Sequence, residues 1–445
     1  MATSPPCPVG FWEALRFWLR LGFVSFGGPA GQIAIMHTEL VERRRWISER
    51  RFLHALNYCM LLPGPEAQQL ATYIGWLMHG TRGGLVAGAL FVLPSLFILV
   101  ALSWIYLAWG QLPLVAGLFY GLKPAVTALV LHAAHRIGTR ALKNAWLWAI
   151  AAAAFVAIFA LDAPFPLIVL TAALVGHFGG RWAPQVFTPG GAPGTEGPGH
   201  GPALIDDATP TPAHAHFGRT RLARVLAAGL GLWAAAMAAL MLVCGVQGAL
   251  TQMGWFFTKA ALLTFGGAYA VLPYVYQGAV EQHQWLTGTQ MIDGLALGET
   301  TPGPLIMVVA FVGFVGGWTK QLFGPDALFL AGAAAAGVVT FFTFLPSFVF
   351  ILAGGPVIES THGQLQFTAP LTAVTAAVVG VILNLALFFA WHVLWPKGLT
   401  GRIDTIPALI AVGASIALFR FRLGIMPLLA SCAVLGLAAS WLQGS

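Results

Sequence analysis

Residues 61–76 read LLPGPEAQQLATYIGW, and this stretch decides the fold. It places Pro-Gly-Pro at residues 63–65 inside a strongly apolar chain and follows it with a glutamate and two glutamines. Proline cannot donate a backbone hydrogen bond and the intervening glycine adds flexibility, so a helix must break here. A broken helix at membrane depth is tolerated only where it is buried in protein or lines a water-filled cavity. The stretch therefore predicts an interrupted membrane helix with a functional purpose.

The composition around this stretch is that of a membrane protein. Of the 445 residues, 58% are hydrophobic and 8% are charged, and the mean hydropathy is +0.80. A soluble chain carries roughly a quarter charged residues. Many windows of about 20 residues carry no charge, which is enough for a helix to span the hydrocarbon core. Examples are residues 84–108, 327–353 and 371–391. We predict an all-α polytopic membrane protein.

Other features of the sequence exclude several classes of protein. The four cysteines have neither disulfide nor metal-ligand spacing, so we expect no bound metal. The net charge of +7 comes without a basic stretch interleaved with aromatic residues, so nucleic acid is not an expected partner. No HExxH, G-x-S-x-G or GxxxxGK[ST] motif occurs, so we expect neither an enzyme nor an ATP-driven pump, and no cofactor. We also expect no cleaved signal peptide, because the first residues lack a basic region followed by a clean apolar core.

The Pro-Gly-Pro stretch belongs to an internal repeat. Residues 26–65 align with residues 265–304 at a constant offset of 239 without gaps, and ten of the forty positions are identical. Composition alone would give roughly three identities. Further on, FVLPS at residues 91–95 matches TFLPS at residues 343–347 after an insertion in the second copy. The chain therefore contains two homologous halves with the same interruptions.

The two halves are predicted to lie in opposite orientations. Residues 42–51, ERRRWISERR, carry five arginines, whereas their counterpart at residues 281–290 carries no lysine or arginine. Short arginine-rich loops stay in the cytoplasm, so the two loops are expected on opposite sides of the membrane. One apolar segment without a partner in the first half would invert the second copy. The predicted organisation is an N-terminal transmembrane repeat (1–180), a soluble cytoplasmic linker (181–222), an unpaired connecting transmembrane helix (223–248) and an inverted C-terminal transmembrane repeat (249–445).

Corresponding Gly/Pro-interrupted segments in an inverted repeat are typical of a secondary transporter. The last proline of each Pro-Gly-Pro suits the first turn of a new half-helix, whose free N–H groups form a positive end. The Gly-Gly pairs would make second breaks that let the backbone approach a ligand closely. Four broken or re-entrant half-helix ends near mid-membrane would form an anion site, although close helix packing alone is an alternative reason for such kinks. The candidate backbone positions are Gly27, Gly28, Pro63, Gly64, Pro65, Gly266, Gly267, Pro302, Gly303 and Pro304.

Three cations in apolar surroundings are candidates for contact with the anion. Arg20 and Lys259 occupy the same repeat position, seven residues before each Gly-Gly, and two such cations suit a small dianion. Lys123 lies within an otherwise apolar stretch. For each of the three, the alternative is that the side chain snorkels to the membrane interface.

Uncharged and acidic side chains next to the Pro-Gly-Pro stretches complete the candidate site. The hydrogen-bond donors can bind oxyanion oxygens or, alternatively, satisfy the backbone; they are Gln68, Gln69, Thr300 and Thr301. Glu66 and Glu299 are candidates for coupling to an ion, because carboxylates at membrane depth commonly carry protons. For Glu66, stabilisation of a helix N-terminus is the alternative role.

These motifs resemble the signature of the chromate ion transporter (CHR) family in its long two-domain form. Gly27-Gly28, Val41, Trp46 and the first Pro-Gly-Pro carry the spacing, and residues 266–267, 280, 285 and 302–304 repeat it. The resemblance covers nearly the whole chain. It implies two oppositely oriented halves and export of chromate from the bacterial cytoplasm, which gives chromate resistance, with sulfate as a competing analogue.

The motif does not distinguish chromate from sulfate, so a sulfate transporter without chromate preference stays open. An oxyanion channel stays open as well, because it would use a similar positive site without a coupling ion. The expected location is the bacterial inner (plasma) membrane, as a multi-pass protein. The expected partners are a small inorganic oxyanion, membrane lipid and a second copy of the chain in a homodimer.

Overall fold

The computed structural model describes residues 8–26, 28–187, 202–207, 209–210, 212–360, 368–396 and 403–444. Within these ranges the chain is helical apart from turns, loops and an isolated β-bridge between Ile47 and Ile205. Six described helices are long and apolar enough to cross a membrane, and three shorter apolar helices accompany them. The prediction of an all-α polytopic membrane protein is confirmed.

The first half is interrupted at both predicted places. A break after Val24 separates the first two helices, and the first Pro-Gly-Pro separates the third helix from the fourth. A π-helical segment at Thr38–Arg43 extends the second helix towards the arginine-rich loop. The helices are α1 (Phe11–Val24), α2 (Gly28–His37), α3 (Glu49–Leu61), α4 (Glu66–Trp109), α5 (Pro113–Ala141), α6 (Ala145–Leu161) and α7 (Phe165–Trp182).

The second half repeats this order after two connecting helices, α8 (Pro184–Phe187) and α9 (Arg219–Cys244). Met237 is the buried residue of α9, so this helix lies at the edge of the fold, as a connecting span would. It begins at Arg219, a few residues before the predicted segment 223–248. The helices that follow are α10 (Ala249–Leu263), α11 (Ala268–Tyr276), α12 (Gly288–Thr300), α13 (Val308–Thr319), α14 (Leu328–Ser360), α15 (Thr368–Leu394), α16 (Thr405–Phe419) and α17 (Ile425–Gly444).

The short helices before each Pro-Gly-Pro begin with equivalent caps. Ser48 precedes α3 and accepts a hydrogen bond from the backbone N–H of Arg51 (3.2 Å). Thr287, at the equivalent repeat position, precedes α12 and accepts from the N–H of Gln290 (3.2 Å). Each cap satisfies an N–H group that the first helical turn leaves without a partner. The sequence therefore fixes where both helices start, and the prolines fix where they end.

The helix α4 consists of two antiparallel limbs. His79 and Gly80 leave the helical conformation, and Gly80 has a φ of 63°, which favours glycine. A Cβ on Gly83 would lie 2.2 Å from the carbonyl oxygen of Gly75, so the limbs touch backbone to backbone. In the second half, α13 and α14 form the equivalent hairpin, where a Cβ on Gly317 would lie 2.4 Å from the carbonyl oxygen of Ala331. Each Pro-Gly-Pro lies at the end of the first limb opposite this turn, where the short helix before it (α3 or α12) and the first limb form a re-entrant hairpin.

The start of α1, the arginine-rich loop and the turn of α4 lie on one side of the fold, which we call the arginine-loop side. His79 in the turn of α4 bonds through Nε2 to the carbonyl oxygen of Val9 (3.0 Å). Part of the predicted linker docks on this side, because the N–H of Ile205 donates to the carbonyl oxygen of Trp46 (3.1 Å). The linker residue His214 bonds to the carbonyl oxygen of Trp76 (2.9 Å).

The contacts between long and short helices show that the halves are inverted. The second limb of α4, residues 81–109, rises about 40 Å from the arginine-loop side at 1.5 Å per residue. Near its end the hydroxyl of Tyr106 donates to Asp293, close to the start of α12 (2.8 Å). The helix α14 runs the other way, and Glu359 at its end accepts from Tyr73 (2.5 Å). The helix α3 therefore starts on the arginine-loop side and α12 on the opposite side.

Candidate functional site at the crossing of the broken helices

The four breaks meet, and each Pro-Gly-Pro bonds to the Gly-Gly break of the other half. The N–H of Gly64 donates to the carbonyl oxygen of Thr264 (2.7 Å), and the N–H of Gly303 donates to that of Ser25 (2.8 Å). Gly303 is the repeat equivalent of Gly64 and Thr264 is that of Ser25, at the offset of 239, so the two bonds are equivalent. We call this meeting point, formed by residues 25–26, 28, 62–65, 264–267 and 301–304, the crossing.

The crossing is packed so closely that its two central glycines have no room for a side chain. Gly64 has a φ of 128°, and a Cβ there would lie 2.4 Å from Oγ of Ser347. Gly303 has a φ of 104°, and a Cβ there would lie 2.7 Å from Cβ of Ser95. Both serines end the Leu-Pro-Ser motif of the opposite half and are 1% exposed. The sequence showed this motif as a repeat but gave no sign that it touches the Pro-Gly-Pro.

The free backbone donors at the crossing belong to the first turns after the prolines. The N–H groups of Gly64 and Gly303 are already used, and proline has none to offer. The first i to i−4 bond of α4 runs from Gln69 to Pro65 (3.0 Å). The N–H groups of Glu66, Ala67 and Gln68 precede that bond and have no carbonyl within their own helix. They form the positive half-helix end that the sequence predicted.

Three glutamines surround the crossing: Gln68 and Gln69, which the sequence predicted as candidates, and Gln32, which it did not. Nε2 of Gln68 donates to Oγ1 of Thr72 (3.0 Å), and Nε2 of Gln69 donates to the carbonyl oxygen of Pro63 (2.8 Å). Gln32 on α2 donates to the carbonyl oxygen of Gly303 and so ties the halves together. The Oε1 atoms of all three are buried without a hydrogen-bond partner among the described residues. Buried polar atoms normally have partners, so these acceptor oxygens mark places for water or another hydrogen-bond donor.

Both candidate coupling glutamates lie near the start of α11. Oε1 of Glu66 is 4.0 Å from the position of a Cβ on Gly267. Glu299 is buried and accepts a hydrogen bond from the hydroxyl of Tyr269, in the first turn of α11. The positive charge of Arg136, half-buried on α5, acts on both Glu299 and Tyr269. Neither Arg136 nor Tyr269 has a residue of the same type at the equivalent position of the other half, so the internal repeat did not single them out.

The threonines before the second Pro-Gly-Pro bond to their own helix. Oγ1 of Thr300 donates to the carbonyl oxygens of Ala296 and Leu297 (3.1 and 3.0 Å). Oγ1 of Thr301 donates to that of Leu297 (2.6 Å). In this structure both hydroxyls satisfy the backbone, which was the alternative to anion contact.

Two of the three candidate cations point away from the crossing. Arg20 is exposed on the same stripe of α1 as Leu19 and Phe23, a pattern typical of a lipid-facing surface. Lys259 is also exposed. It lies near the loop after α11, where burial, followed by the charges of Lys259 and Lys320, lowers the pKa of His283.

The third cation is paired with a carboxylate. Nζ of Lys123 lies 3.4 Å from Oδ2 of Asp293, on the opposite side from the arginine-rich loop. Gly27 lies outside the described residues, whereas Gly28 starts α2 with a φ of 69°. The structure therefore gathers the described candidate glycines, the prolines, the glutamines and the glutamates at the crossing and leaves the three cations outside it.

Re-entrant hairpins from both sides, related by an inverted repeat and meeting in a polar crossing, define a class of membrane transport proteins rather than enzymes. The chain belongs to the chromate transporter family, whose family model matches residues 12–177 and 251–437. It is 34% identical to the chromate transport protein of Pseudomonas aeruginosa over 385 residues, 85% of this chain and 80% of that protein. It is 28% identical to the chromate transport protein of Cupriavidus metallidurans over 433 residues, 96% and 92% of the two chains.

Further relatives extend beyond these two bacteria. A probable chromate transport protein of Synechococcus elongatus is 27% identical over 372 residues, 83% of this chain and 82% of that protein. No solved structure matches the chain.

Proposed function

We propose that the chain is a secondary transporter that exports chromate across the bacterial inner membrane and also recognises sulfate. The anion is held at half-helix N-termini at the crossing, which opens alternately to the two sides. The names of the relatives support the substrate. The reciprocal bonds of Gly64 and Gly303 carry the proposal of the site, because they bring four helix breaks from two inverted halves to one place.

The donors at the crossing suit a tetrahedral dianion. Backbone N–H groups at a helix N-terminus favour negative charge through the helix dipole and need not lose a proton to bind. Chromate and sulfate have the same charge and a similar shape, so such a site would discriminate between them only modestly. Gln68 and Gln69 stand beside these donors with their amide groups buried, and they can turn to the anion when it binds.

The charge of the substrate gives a physical reason for export. Moving one charge across the membrane is worth about 2.3 kcal/mol per 100 mV. At 100 mV, a dianion that leaves a negative interior is therefore stabilised by about 4.6 kcal/mol. A bound dianion also favours the protonated form of a neighbouring carboxylate. Glu66 and Glu299 are therefore proposed as the groups through which proton movement is coupled to transport.

Flux measurements in proteoliposomes test this proposal. Chromate and sulfate would be loaded separately, and a pH gradient and a membrane potential would be imposed one at a time. We expect an imposed pH gradient to drive chromate beyond the equilibrium that the membrane potential sets, and sulfate to compete. Chromate that never passes that equilibrium would identify a channel, because an open pore conducts a dianion under the potential alone. Sulfate accumulation without chromate transport would identify a sulfate transporter.

A further inference from the structure

Two clusters of buried and partly buried polar side chains tie the halves together away from the crossing. On the arginine-loop side, Nη1 of Arg51 lies 3.7 Å from Oε2 of Glu359. The hydroxyl of Tyr73 donates to the other oxygen of that carboxylate (2.5 Å). We call Arg51, Glu359 and Tyr73 the first clasp. It joins α3 and the first limb of α4 to the end of α14 in the other half.

The second clasp consists of Lys123, Asp293 and Tyr106 and lies on the opposite side. Nζ of Lys123 is 3.4 Å from Oδ2 of Asp293, and the hydroxyl of Tyr106 donates to the same oxygen (2.8 Å). Asp293 is 2% exposed, and its Oδ1 has no hydrogen-bond partner among the described residues. This clasp joins α12 to α5 and to the end of α4 in the other half.

The two clasps occupy related positions although their chemistry differs. Asp293 stands three positions after the repeat equivalent of Arg51, so both lie near the start of the short helix before a Pro-Gly-Pro. The prolines of the Leu-Pro-Ser motifs, Pro94 and Pro346, differ by 252, and this offset places Tyr106 beside the equivalent of Glu359. Each clasp thus joins the short helix of one half to the end of the long helix of the other.

We propose that the clasps are the two gates of the transporter, the first closing the path from the crossing to the arginine-loop side and the second closing the path to the opposite side. This rests on the proposed function, since gates have a purpose only in alternating access. Both clasps are formed. The side chains next to the crossing, Gln68, Gln69, Ser95 and Ser347, are at most 1% exposed. The structure is therefore closed on both sides.

The partial exposure of the clasps suits groups that separate and rejoin. Breaking a fully buried ion pair leaves an uncompensated charge and is strongly unfavourable. Lys123 keeps 28% of its side chain exposed and Arg51 keeps 17%, so water can solvate each cation when its clasp opens. The docked linker touches the first clasp, because Nη2 of Arg51 also donates to the carbonyl oxygen of Thr209 (2.5 Å).

Side-specific labelling of cysteines next to the crossing tests the gates. Cys59 on α3 is fully buried four residues before Pro63, and it reports on the first gate once the other cysteines are replaced by serine. Its repeat equivalent is Gly298, where a Cβ has no neighbour closer than 3.4 Å. A Gly298→Cys variant lacking Cys59 therefore reports on the second gate. The probe is a membrane-impermeant maleimide, added to right-side-out or inside-out vesicles.

We expect Glu359→Gln to raise labelling of Cys59 from the arginine-loop side about tenfold or more, and Asp293→Asn to raise labelling of Gly298→Cys from the opposite side by a similar factor. Glu49→Gln and Asp404→Asn are the controls. Glu49 pairs with His37 within the first half, and Asp404 pairs with Tyr120 between α5 and the start of α16, so neither pair joins a short helix to the end of a long helix. Neither control should change labelling by more than about twofold.

Charge-swapped pairs separate a gate from a purely structural contact. Arg51→Glu with Glu359→Arg, and Lys123→Asp with Asp293→Lys, should return labelling towards the original rate. Labelling that rises equally from both sides, does not change, or is not reversed by the swaps would overturn the proposal. Labelling needs no chromate, so side-specific labelling without chromate flux would reject the proposed substrate alone. Flux with unchanged labelling would reject the gates alone.

Discussion

Replacement of Gly64 by alanine tests whether the shape of the crossing is required for transport. At a φ of 128° an alanine is strained by about 1–3 kcal/mol. Its Cβ would lie 2.4 Å from Oγ of Ser347 and 2.6 Å from Nε2 of Gln69, and such overpacking adds about 1–3 kcal/mol. If the break moves to relieve this strain, the N–H of Gly64 also loses the carbonyl oxygen of Thr264.

A cost near the middle of the summed range, about 4 kcal/mol, corresponds to a loss of about 1,000-fold in the population of the functional geometry. We therefore expect Gly64→Ala to lower the initial rate of chromate flux in proteoliposomes by about that factor. Gly303→Ala should behave alike, because its Cβ would meet the Cβ of Ser95, which cannot rotate away. Thermal unfolding in detergent, measured on the same samples, separates lost function from lost folding.

Two further variants sharpen the result. Gly337→Ala on α14 is the matched control, because a Cβ there has nothing within 4 Å and its φ is not positive, so flux should not change. Gly64→Ala combined with Ser347→Gly removes the steric clash with Oγ but leaves the backbone strain, so it should recover flux only in part. Flux at the original rate in Gly64→Ala, with unchanged stability, would refute the reasoning from the crossing.

Three other predictions concern charged groups. Arg20→Gln and Lys259→Gln decide between anion contact and a place at the membrane interface. Because both side chains are exposed, we expect the half-saturation concentration for chromate to stay unchanged in each variant. A raised half-saturation concentration would assign the residue to the anion site. Arg136→Gln should raise the half-saturation concentration about tenfold, whereas Arg140→Gln, an exposed position one turn further on α5, should not. Glu66→Gln should remove the dependence of flux on an imposed pH gradient while leaving its dependence on the membrane potential, and equal responses to both in the variant and the original chain would exclude this residue as the coupling group.

The sequence predicted the breaks and the inversion because both leave local traces. Pro-Gly-Pro interrupts a helix wherever it stands, and the arginine-rich loop has a counterpart without cations. The sequence did not predict which break meets which. The bond from Gly64 to Thr264 joins residues 200 positions apart, and nothing local at either residue specifies the other.

The side chains of the site were harder to predict than its backbone. Gln32 has Val271 as its repeat equivalent, so a search for repeated polar residues passes over it. Lys123 was a reasonable candidate for anion contact until its partner was known, and Asp293 lies 170 positions away. The hydroxyls of Thr300 and Thr301 bond back to α12, a choice that depends on rotamers rather than on residue type.

The reciprocal bonds at the crossing have a consequence for how the protein is made. When the first half leaves the ribosome, the carbonyl oxygen of Ser25 and the N–H of Gly64 have no partners, because Thr264 and Gly303 have yet to be synthesised. Unpaired backbone groups in lipid are costly, so the first half must wait in the membrane as an incomplete intermediate. Assembly is completed only when the second half inserts in the opposite direction, and neither half can form the crossing alone.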